Sequence, residues 1–281
     1  MSNSAEYWKR RNDELHKIYE KESMNVVKEL KKAYTKSFND IKTEVKSYKF
    51  DHNSYEEVSA NNLLARIEAI LNALFELEET TLTTNLMDFY SSTKARVGHF
   101  LRQANIVNIV TQSINSAGYL LDKTIEMISY NVPNIKAVEL VIKEKFLGHN
   151  YSDRIWNNKA KLSFTLKSSL TEGLIRGEGV KKIANRINKQ MGTSYYNCER
   201  LARTEMSRVM EKAQLDSYAE NGIEEFQIIT AHDNRVCDKC KAMNGKIFKI
   251  ADAKPGVNYC LHPNERCDLL PVTNLKKALS S

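Results

Sequence analysis

Cys237-Asp238-Lys239-Cys240 and His262-Pro263-Asn264-Glu265-Arg266-Cys267 are the two short stretches that decide how the C-terminal part of this chain folds. The first places two thiols at the mouth of a tight turn, and the second adds an imidazole and a third thiol. Cysteine thiolates and histidine nitrogens are the usual ligands of tetrahedral Zn2+. The spacing therefore predicts one structural Zn2+ bound by Cys237, Cys240, His262 and Cys267, with no position left open for water.

Cys260 is the competitor for a place in this ligand set. We rank it fifth, because a single residue separates it from His262 and so short a loop does not bind one ion comfortably through both side chains. A ligand relocated to Cys260 is the alternative, and His232 is a further candidate. Cys198 lies within a predicted helix and is interpreted as a small apolar packing residue.

The residues around the predicted ligands have the pattern of a small β-hairpin module. Residues 223–231 include Phe226 and Ile228, which favour a strand, and residues 246–250, which read Lys-Ile-Phe-Lys-Ile, are rich in strand-forming apolar side chains. The ion is therefore interpreted as a structural cross-link, or staple, that holds together a metal-binding module of about residues 230–271, because this module has too little core to fold alone. The sequence contains no His-Glu-x-x-His motif, no zinc-deaminase motif and no nucleophile elbow.

A predicted helix over residues 194–221 carries two charged residues, Arg203 and Glu205, that point in different directions. Residues two apart on a helix diverge by about 200°, so each side chain needs its own partner. Glu205 is expected to pair with Arg208 or to reach the strand region.

Asp233 and Arg235 lie in the turn that follows the first predicted strand. Asp233 is expected to cap backbone amides of this turn, and Arg235 is expected to bind a carboxylate such as that of Glu205. We favour a structural role for these four charged residues, which would tie the helix to the metal-binding hairpin. An active-site role for Arg203 or Glu205 is the alternative.

Long helices are predicted for the rest of the chain, because glycine and proline are scarce, at 10 and 4 residues of 281. The first helix is expected over residues 5–50, where an apolar stripe recurs at spacings of three and four. The stripe consists of Val27, Leu30, Tyr34, Phe38, Ile41, Val45 and Tyr48. A second apolar helix is expected to end near Thr80–Thr84, where β-branched residues weaken it. Later helices are expected over residues 151–170, 180–187 and 194–221.

Composition and charge narrow the class of protein. Lys and Arg total 42 against 35 Asp and Glu, which gives a net charge of +7. This excess fits a protein that works near nucleic acid, and it equally fits a solvated, slightly basic surface. Four of the five cysteines lie within residues 237–267, and the first 30 residues contain no apolar signal segment. These features favour metal binding in a reducing compartment, and no apolar run is long enough to span a membrane.

Together these patterns predict a mainly α fold. A long-helix N-terminal region is expected over residues 1–150, and a small α+β C-terminal domain with the zinc-stapled β-hairpin is expected over residues 151–281. The start of the helix near residue 151 is the predicted boundary between the two domains.

Residues from about 165 to 271 resemble the C-terminal domain of the phage Mu F-like head morphogenesis family. The resemblance rests on the order and spacing of several short motifs, none of which is specific alone. In chain order the motifs are Ala202-Arg203-Thr204-Glu205, Asn221-Gly222-Ile223, the turn from Thr230 to Cys237, Cys237-x2-Cys240, Asn244-Gly245-Lys246-Ile247-Phe248, Pro255-Gly256-Val257-Asn258 and His262-Pro263-Asn264.

The chain departs from the family near its end. The family commonly reads Pro-Pro-x-His-Pro-x-Cys-Arg-Cys, whereas Tyr259-Cys260 replaces the two prolines here and Glu265 replaces the first cysteine. The matching Arg266 and Cys267 support His262 and Cys267 as the retained ligands.

The resemblance implies a minor capsid protein of a tailed phage that is a structural component of the virion and has no enzymatic activity. It implies a location inside the capsid, and in the host cytoplasm during assembly. The portal protein and other capsid or scaffold proteins are the implied partners, with double-stranded DNA as a further one and residues 1–150 as the assembly region. Two alternatives stay open: a toxin-like enzyme, either an ADP-ribosyltransferase or a nuclease, and a zinc-stapled DNA-binding protein.

Overall fold

The structure is a computed structural model, and it describes residues 2–48, 57–113, 135–176, 178–230, 236–263, 265 and 267–272. The helices are α1 (Ser2–Ser47), α2 (Glu57–Ser113), α3 (Ile135–Ile142), α4 (Tyr151–Ile175), α5 (Val180–Glu220) and α6 (Asp238–Met243). The strands are β1 (Glu225–Thr230), β2 (Ile247–Lys249) and β3 (Cys267–Pro271), and a 3-10 turn covers Ile250–Asp252. The predicted fold class, long helices with a small C-terminal α+β region, is confirmed.

The predicted end of the second helix at Thr80–Thr84 is wrong, because α2 continues through these residues. The hydroxyls of Thr80 and Thr83 donate hydrogen bonds to the carbonyls of Glu76 and Glu79, one turn earlier in the helix. Leu82, between the threonines, is fully buried. Burial of this face outweighs the weak helix propensity of the threonines.

The predicted break between residues 187 and 194 is also wrong, because α5 is one continuous helix. Gly192 is exposed within it, whereas its neighbours Met191 and Ser194 are buried. A glycine in a helix interior costs about 1 kcal/mol relative to alanine, and packing on both sides of this position offsets that cost.

By their contacts, the described residues group into two compact units, each built from separated segments. One unit contains residues 1–21, 86–147 and 204–281, and the other contains residues 22–85 and 148–203. The division near residue 150 into an assembly region and a family domain stays a prediction. Among the described residues, no helix combines the length and the apolar character needed to cross a membrane.

The unit of residues 22–85 and 148–203 is a helical core that contains one buried polar network. The predicted α1 stripe supplies part of the core, since Leu30, Ile41 and Val45 are almost fully buried. The Tyr34 hydroxyl donates a hydrogen bond to Oε2 of Glu78 at 2.8 Å. Burial raises the pKa of Glu78 to about 7, although hydrogen bonds from the Tyr34 hydroxyl and the Cys198 thiol oppose this shift.

Because Glu78 holds its proton up to about pH 7 in the folded state, its contribution makes the unfolding free energy fall as pH rises from about 4.5 to about 7. The unfolded chain loses this proton near pH 4.5, and the folded chain keeps it until pH 7. We expect Glu78→Gln, which mimics the neutral acid, to remove this slope and to be about 3 kcal/mol more stable than the wild type above pH 7. Urea unfolding from pH 5 to pH 8 measures the difference.

Glu76→Gln is the matched control, because Glu76 is exposed on the same helix. A wild-type slope that persists in Glu78→Gln would contradict the assignment of this pH dependence to Glu78.

The other unit contains a three-stranded antiparallel sheet with the order β2-β1-β3. In the central strand, Ile228 lies opposite Leu269 of β3, and both are buried. The carbonyl of Leu269 also accepts hydrogen bonds from the Tyr218 hydroxyl at 3.0 Å and from Nδ2 of Asn12 at 3.2 Å. One carbonyl of the edge strand β3 is therefore bonded by side chains of α5 and α1, which also pack through an edge-to-face contact between Trp8 and Tyr218 at 6.0 Å.

Candidate metal centre

The connection between β1 and β2 places Cys237 and Cys240 side by side. Cys237 is the N-cap residue of α6, and its Sγ accepts a hydrogen bond from the Cys240 amide at 3.4 Å. Asn244 ends α6, and its side-chain oxygen accepts a hydrogen bond from the Thr230 amide at 2.9 Å. Gly245 then adopts a φ of 79°, which glycine tolerates without strain, and the chain enters β2. The two-cysteine turn is thus fixed to the end of β1.

His262 faces both thiols of this turn. Its Nε2 atom lies 3.2 Å from Sγ of Cys237 and 3.1 Å from Sγ of Cys240. Its Nδ1 atom lies 2.9 Å from the carbonyl of Pro263. A proton on Nδ1 would donate to this carbonyl and leave Nε2 as a free ligand atom, the arrangement found for many metal-bound histidines.

Cys240 also belongs to a second, more buried group. One ligand atom from each of Cys240, Glu265 and Cys267 lies within 4.8 Å of the other two. Cys237, Cys240 and His262 form the first group, in which the three ligand atoms also lie within 4.8 Å of one another. All four predicted ligands therefore lie in one small region, and Glu265 is an additional candidate that the spacing argument did not include.

The protonation preferences of the three thiols differ across this region. The hydrogen bond from the Cys240 amide lowers the pKa of the exposed Cys237 thiol. Burial raises the pKa of Cys240 to about 11 and also raises that of Cys267. Burial disfavours an uncompensated thiolate, and a bound cation reverses that preference by deprotonating the thiols that ligate it.

Two buried carboxyl groups lie behind the second group. Oε2 of Glu211 accepts a hydrogen bond from the Cys260 amide at 2.7 Å, and Oε2 of Glu265 accepts one from the Leu261 amide. Burial raises the pKa of both acids, and their mutual proximity raises that of Glu211 further. Among the described residues, Oε1 of each acid has no hydrogen-bond donor. The pair therefore needs a proton or a cation to be stable.

Cys260 lies outside both groups. Its side chain is buried, its backbone has a φ of 43°, and its amide bonds to Glu211. Burial and the nearby acids raise the pKa of its thiol. His232, Asp233 and Arg235 lie outside the described residues, so their predicted roles stay predictions.

Arg203 and Glu205 have different partners. Arg203 lies 3.3 Å from Oε1 of Glu199, one turn earlier in α5. Glu205 accepts a hydrogen bond from Nε of Arg208 at 2.8 Å, and both side chains are almost completely buried. This burial leaves the Glu205 carboxylate without access to a substrate from solvent.

Arg208 makes further contacts that the sequence pattern did not indicate. Its two terminal nitrogens donate hydrogen bonds to the carbonyls of Val141 and Ile142, both at 3.0 Å. These carbonyls belong to the last turn of α3, where helix carbonyls lack partners within the helix. The Arg208–Glu205 pair therefore fastens the end of α3 to α5, and Nη1 of Arg208 also lies 3.5 Å from a carboxylate oxygen of Glu144.

The donor set suits a tetrahedral ion such as Zn2+. Thiolate and imidazole donors meet in one small region, and a carboxylate oxygen of the buried Glu265 lies within 4.8 Å of the Cys240 and Cys267 thiols. Ligand atoms of a tetrahedral zinc site lie about 3.5 Å apart, which is close to the two distances from Nε2 of His262. The residues present thus fit a structural metal ion.

Comparison with known proteins gives two matches. Residues 165–270 match the family model described as phage Mu protein F like protein. The chain is also similar to minor head protein GP7 of Bacillus phage SPP1, with 20% identity over 242 residues that cover 85% of this chain and 75% of that protein. No solved structure matches the chain.

Proposed function

Because residues 165–270 match the model of the phage Mu protein F like family, we propose that this chain is a minor head protein, a structural component of a phage virion without enzymatic activity. The family match carries the proposal. Similarity to a minor head protein over 85% of the chain supports it, because this similarity extends well beyond the family domain into the N-terminal helices. The burial of Glu205 favours the structural role over the alternative of a toxin-like enzyme.

In this proposal the protein is placed inside the capsid and contacts the portal protein, and it passes through the host cytoplasm during assembly. The helical region of residues 1–150 provides the contacts with the portal, capsid or scaffold proteins. Procapsids assembled with and without the portal protein test this partner. We expect the amount of the chain per major capsid protein to fall without the portal, and equal incorporation would exclude the portal-linked version.

Activity assays on the purified protein distinguish the structural role from the enzymatic alternative. We expect neither NAD consumption nor DNA cleavage, with or without added divalent metal. Either activity, lost in Glu205→Ala while the helical content is kept, would replace the structural proposal with an enzymatic one.

The proposal includes one structural Zn2+ per chain, held by Cys237, Cys240 and His262 with Cys267 as the predicted fourth ligand. The first ligand group supports Cys237, Cys240 and His262, and the second group places Cys267 close to Cys240. The ion would cross-link the β1–β2 connection to the segment before β3 and so stabilise a sheet of three short strands.

Contact with double-stranded DNA is a second part of the proposal, and a lysine face on α1 supports it. Lys28, Lys31, Lys32 and Lys36 are exposed and border one surface groove, which also contains a single carboxylate, that of Asp40. The structure gives these four lysines no ion pair with any residue it describes. Lysines four apart on a helix are separated by about 6 Å along its axis, so the face presents a row of unpaired charges to a phosphate backbone.

We expect the triple variant Lys28→Gln/Lys32→Gln/Lys36→Gln to bind duplex DNA more weakly than the wild type. Each lost phosphate contact should reduce the slope of log affinity against log salt by about 0.9, so the slope should fall by up to about 3. Fluorescence anisotropy with a labelled duplex of mixed sequence, from low to physiological salt, measures both quantities.

The matched control is Lys161→Gln/Lys181→Gln/Lys189→Gln, which removes the same charge from exposed positions on α4 and α5. An equal loss of affinity in both triple variants would mean that net charge, rather than this face, governs binding.

A further inference from the structure

The four predicted ligands do not form one tetrahedral set as they stand. Cys237, Cys240 and His262 form one group within 4.8 Å, and Cys240, Glu265 and Cys267 form another. No group among the described residues contains Cys267 together with Cys237 and His262. The first group supplies three ligands, so a fourth must come from the second group, where a thiol and a carboxyl group lie side by side.

Glu265 has the features of a ligand rather than of a solvated surface acid. Only 7% of its surface is exposed, and its Oε2 is fixed by the Leu261 amide. Its Oε1 has no donor among the described residues. A carboxylate oxygen that is buried without a donor is costly unless a proton or a cation lies near it. A proton shared with the Glu211 carboxyl group meets this need in the absence of metal, and a cation at the neighbouring thiols can replace it, because carboxylate oxygens belong to the ligand repertoire of Zn2+.

Glu211 restricts where the Glu265 side chain can go. It is almost fully buried on α5, its Oε2 is bound to the Cys260 amide, and its carboxyl group interacts with that of Glu265. Glu265 is therefore held between α5 on one side and the thiols of Cys240 and Cys267 on the other. Glu211 is a positioning residue in this arrangement, because it is absent from both ligand groups.

We propose that Cys267 and Glu265 share the fourth ligand position, so that either side chain completes the site with Cys237, Cys240 and His262. The proposal rests on the metal centre of the proposed function and adds an alternative ligand to it. It follows that loss of either side chain weakens Zn2+ binding and that stoichiometric Zn2+ binding is lost only when both are removed. Cys240, which both groups contain, has no such substitute.

Zinc affinity of the full chain tests the proposal through a double-variant cycle of Glu265→Gln and Cys267→Ser. A chromophoric chelator competes for Zn2+ at fixed pH, and elemental analysis gives the stoichiometry. We expect each single variant to keep one Zn2+ per chain with about 10- to 100-fold weaker binding. The double variant should lose stoichiometric zinc. Asp252→Asn is the control, because it removes an exposed carboxylate from the same unit.

Cobalt substitution gives a second readout that does not depend on stability. The thiolate-to-cobalt charge-transfer band reports the number of cysteine ligands. We expect the band to weaken by one thiolate in Cys267→Ser and to keep its full intensity in Glu265→Gln. Circular dichroism of each variant checks that the helices are intact.

Two results would overturn the shared position. One is complete loss of zinc in Cys267→Ser alone, and the other is unchanged affinity when Glu265→Gln is added to Cys267→Ser. A wild-type chain that binds no zinc would instead exclude the metal centre itself, so the two failures are distinguishable.

Discussion

Replacing Cys240 with serine is expected to abolish binding of the proposed Zn2+ and to unfold the proposed metal-binding module, while the long helices keep their structure. Cys240 belongs to both ligand groups, and only 3% of it is exposed. Structural zinc contributes roughly 10–16 kcal/mol of apparent binding energy in small zinc-dependent folds. Even a fraction of that energy is large compared with the about 5–15 kcal/mol of stability of a typical domain.

Three measurements follow the loss of Cys240. Elemental analysis should show zinc falling from one equivalent per chain to none. Hydrogen exchange should show lost protection of the β1 and β2 amides, and far-UV circular dichroism should change little. Cys260→Ser is the matched control, since the Cys260 thiol is buried close by but lies outside both groups. Stoichiometric zinc in Cys240→Ser, or unchanged strand protection after zinc removal by a chelator, would contradict a structural metal.

The sequence was sufficient to predict the elements whose signal is local. The stripe on α1 was predicted because apolar residues recur with the period of a helix. The strands β1 and β2 were predicted because strand-forming residues cluster next to turn residues. The sequence also indicated which cysteines and histidine lie close together, because they occur as two pairs at short, fixed spacings, while a bound metal ion stays a proposal. In each case a few neighbouring residues carry the information.

The sequence was not sufficient where long-range packing decides the outcome. The threonines of α2 are weak helix formers, yet burial of Leu82 keeps the helix continuous. The third strand, β3, is short, and its buried positions Cys267, Leu269 and Pro271 alternate with half-buried ones. The sequence Cys-Asp-Leu-Leu-Pro shows this alternation only in part, because Leu270 is apolar at a half-buried position, so the strand signal of β3 is weak.

The buried charges were the hardest features to predict. Glu265 stands where the family that this region resembles has a cysteine, and this difference was the only sequence signal that it lies near the candidate ligands. Arg208 and Glu211 resemble exposed helix residues in the sequence, because charged side chains are rarely buried without partners. Their partners lie on α3 and on the segment before β3, far away in the chain.

Arg208→Ala is expected to lower the free energy of unfolding by about 3–5 kcal/mol, which is the range observed when one partner of a buried ion pair is removed. The change would leave the Glu205 carboxylate buried without its cation, and the carbonyls of Val141 and Ile142 would lose the hydrogen bonds from Arg208, although Val141 would keep the one from the Glu144 amide. Urea unfolding measures the loss. Arg176→Ala, which breaks an exposed pair with Glu172, is the comparison and should cost no more than about 1 kcal/mol.

The double variant Arg208→Met/Glu205→Gln distinguishes the contribution of the ion pair to stability from the contribution of the hydrogen bonds to the α3 carbonyls. If most of the cost of Arg208→Ala comes from the uncompensated Glu205 charge, neutralising both partners should recover more than half of the lost stability. If the cost comes mainly from the α3 carbonyls, the double variant should stay as unstable as Arg208→Ala, because methionine donates no hydrogen bond. We expect the first result, since a buried unpaired carboxylate is more unfavourable than a carbonyl that loses one donor. A wild-type-like stability of Arg208→Ala would instead mean that the end of α3 is held by other contacts, and the anchor role of the pair would fail.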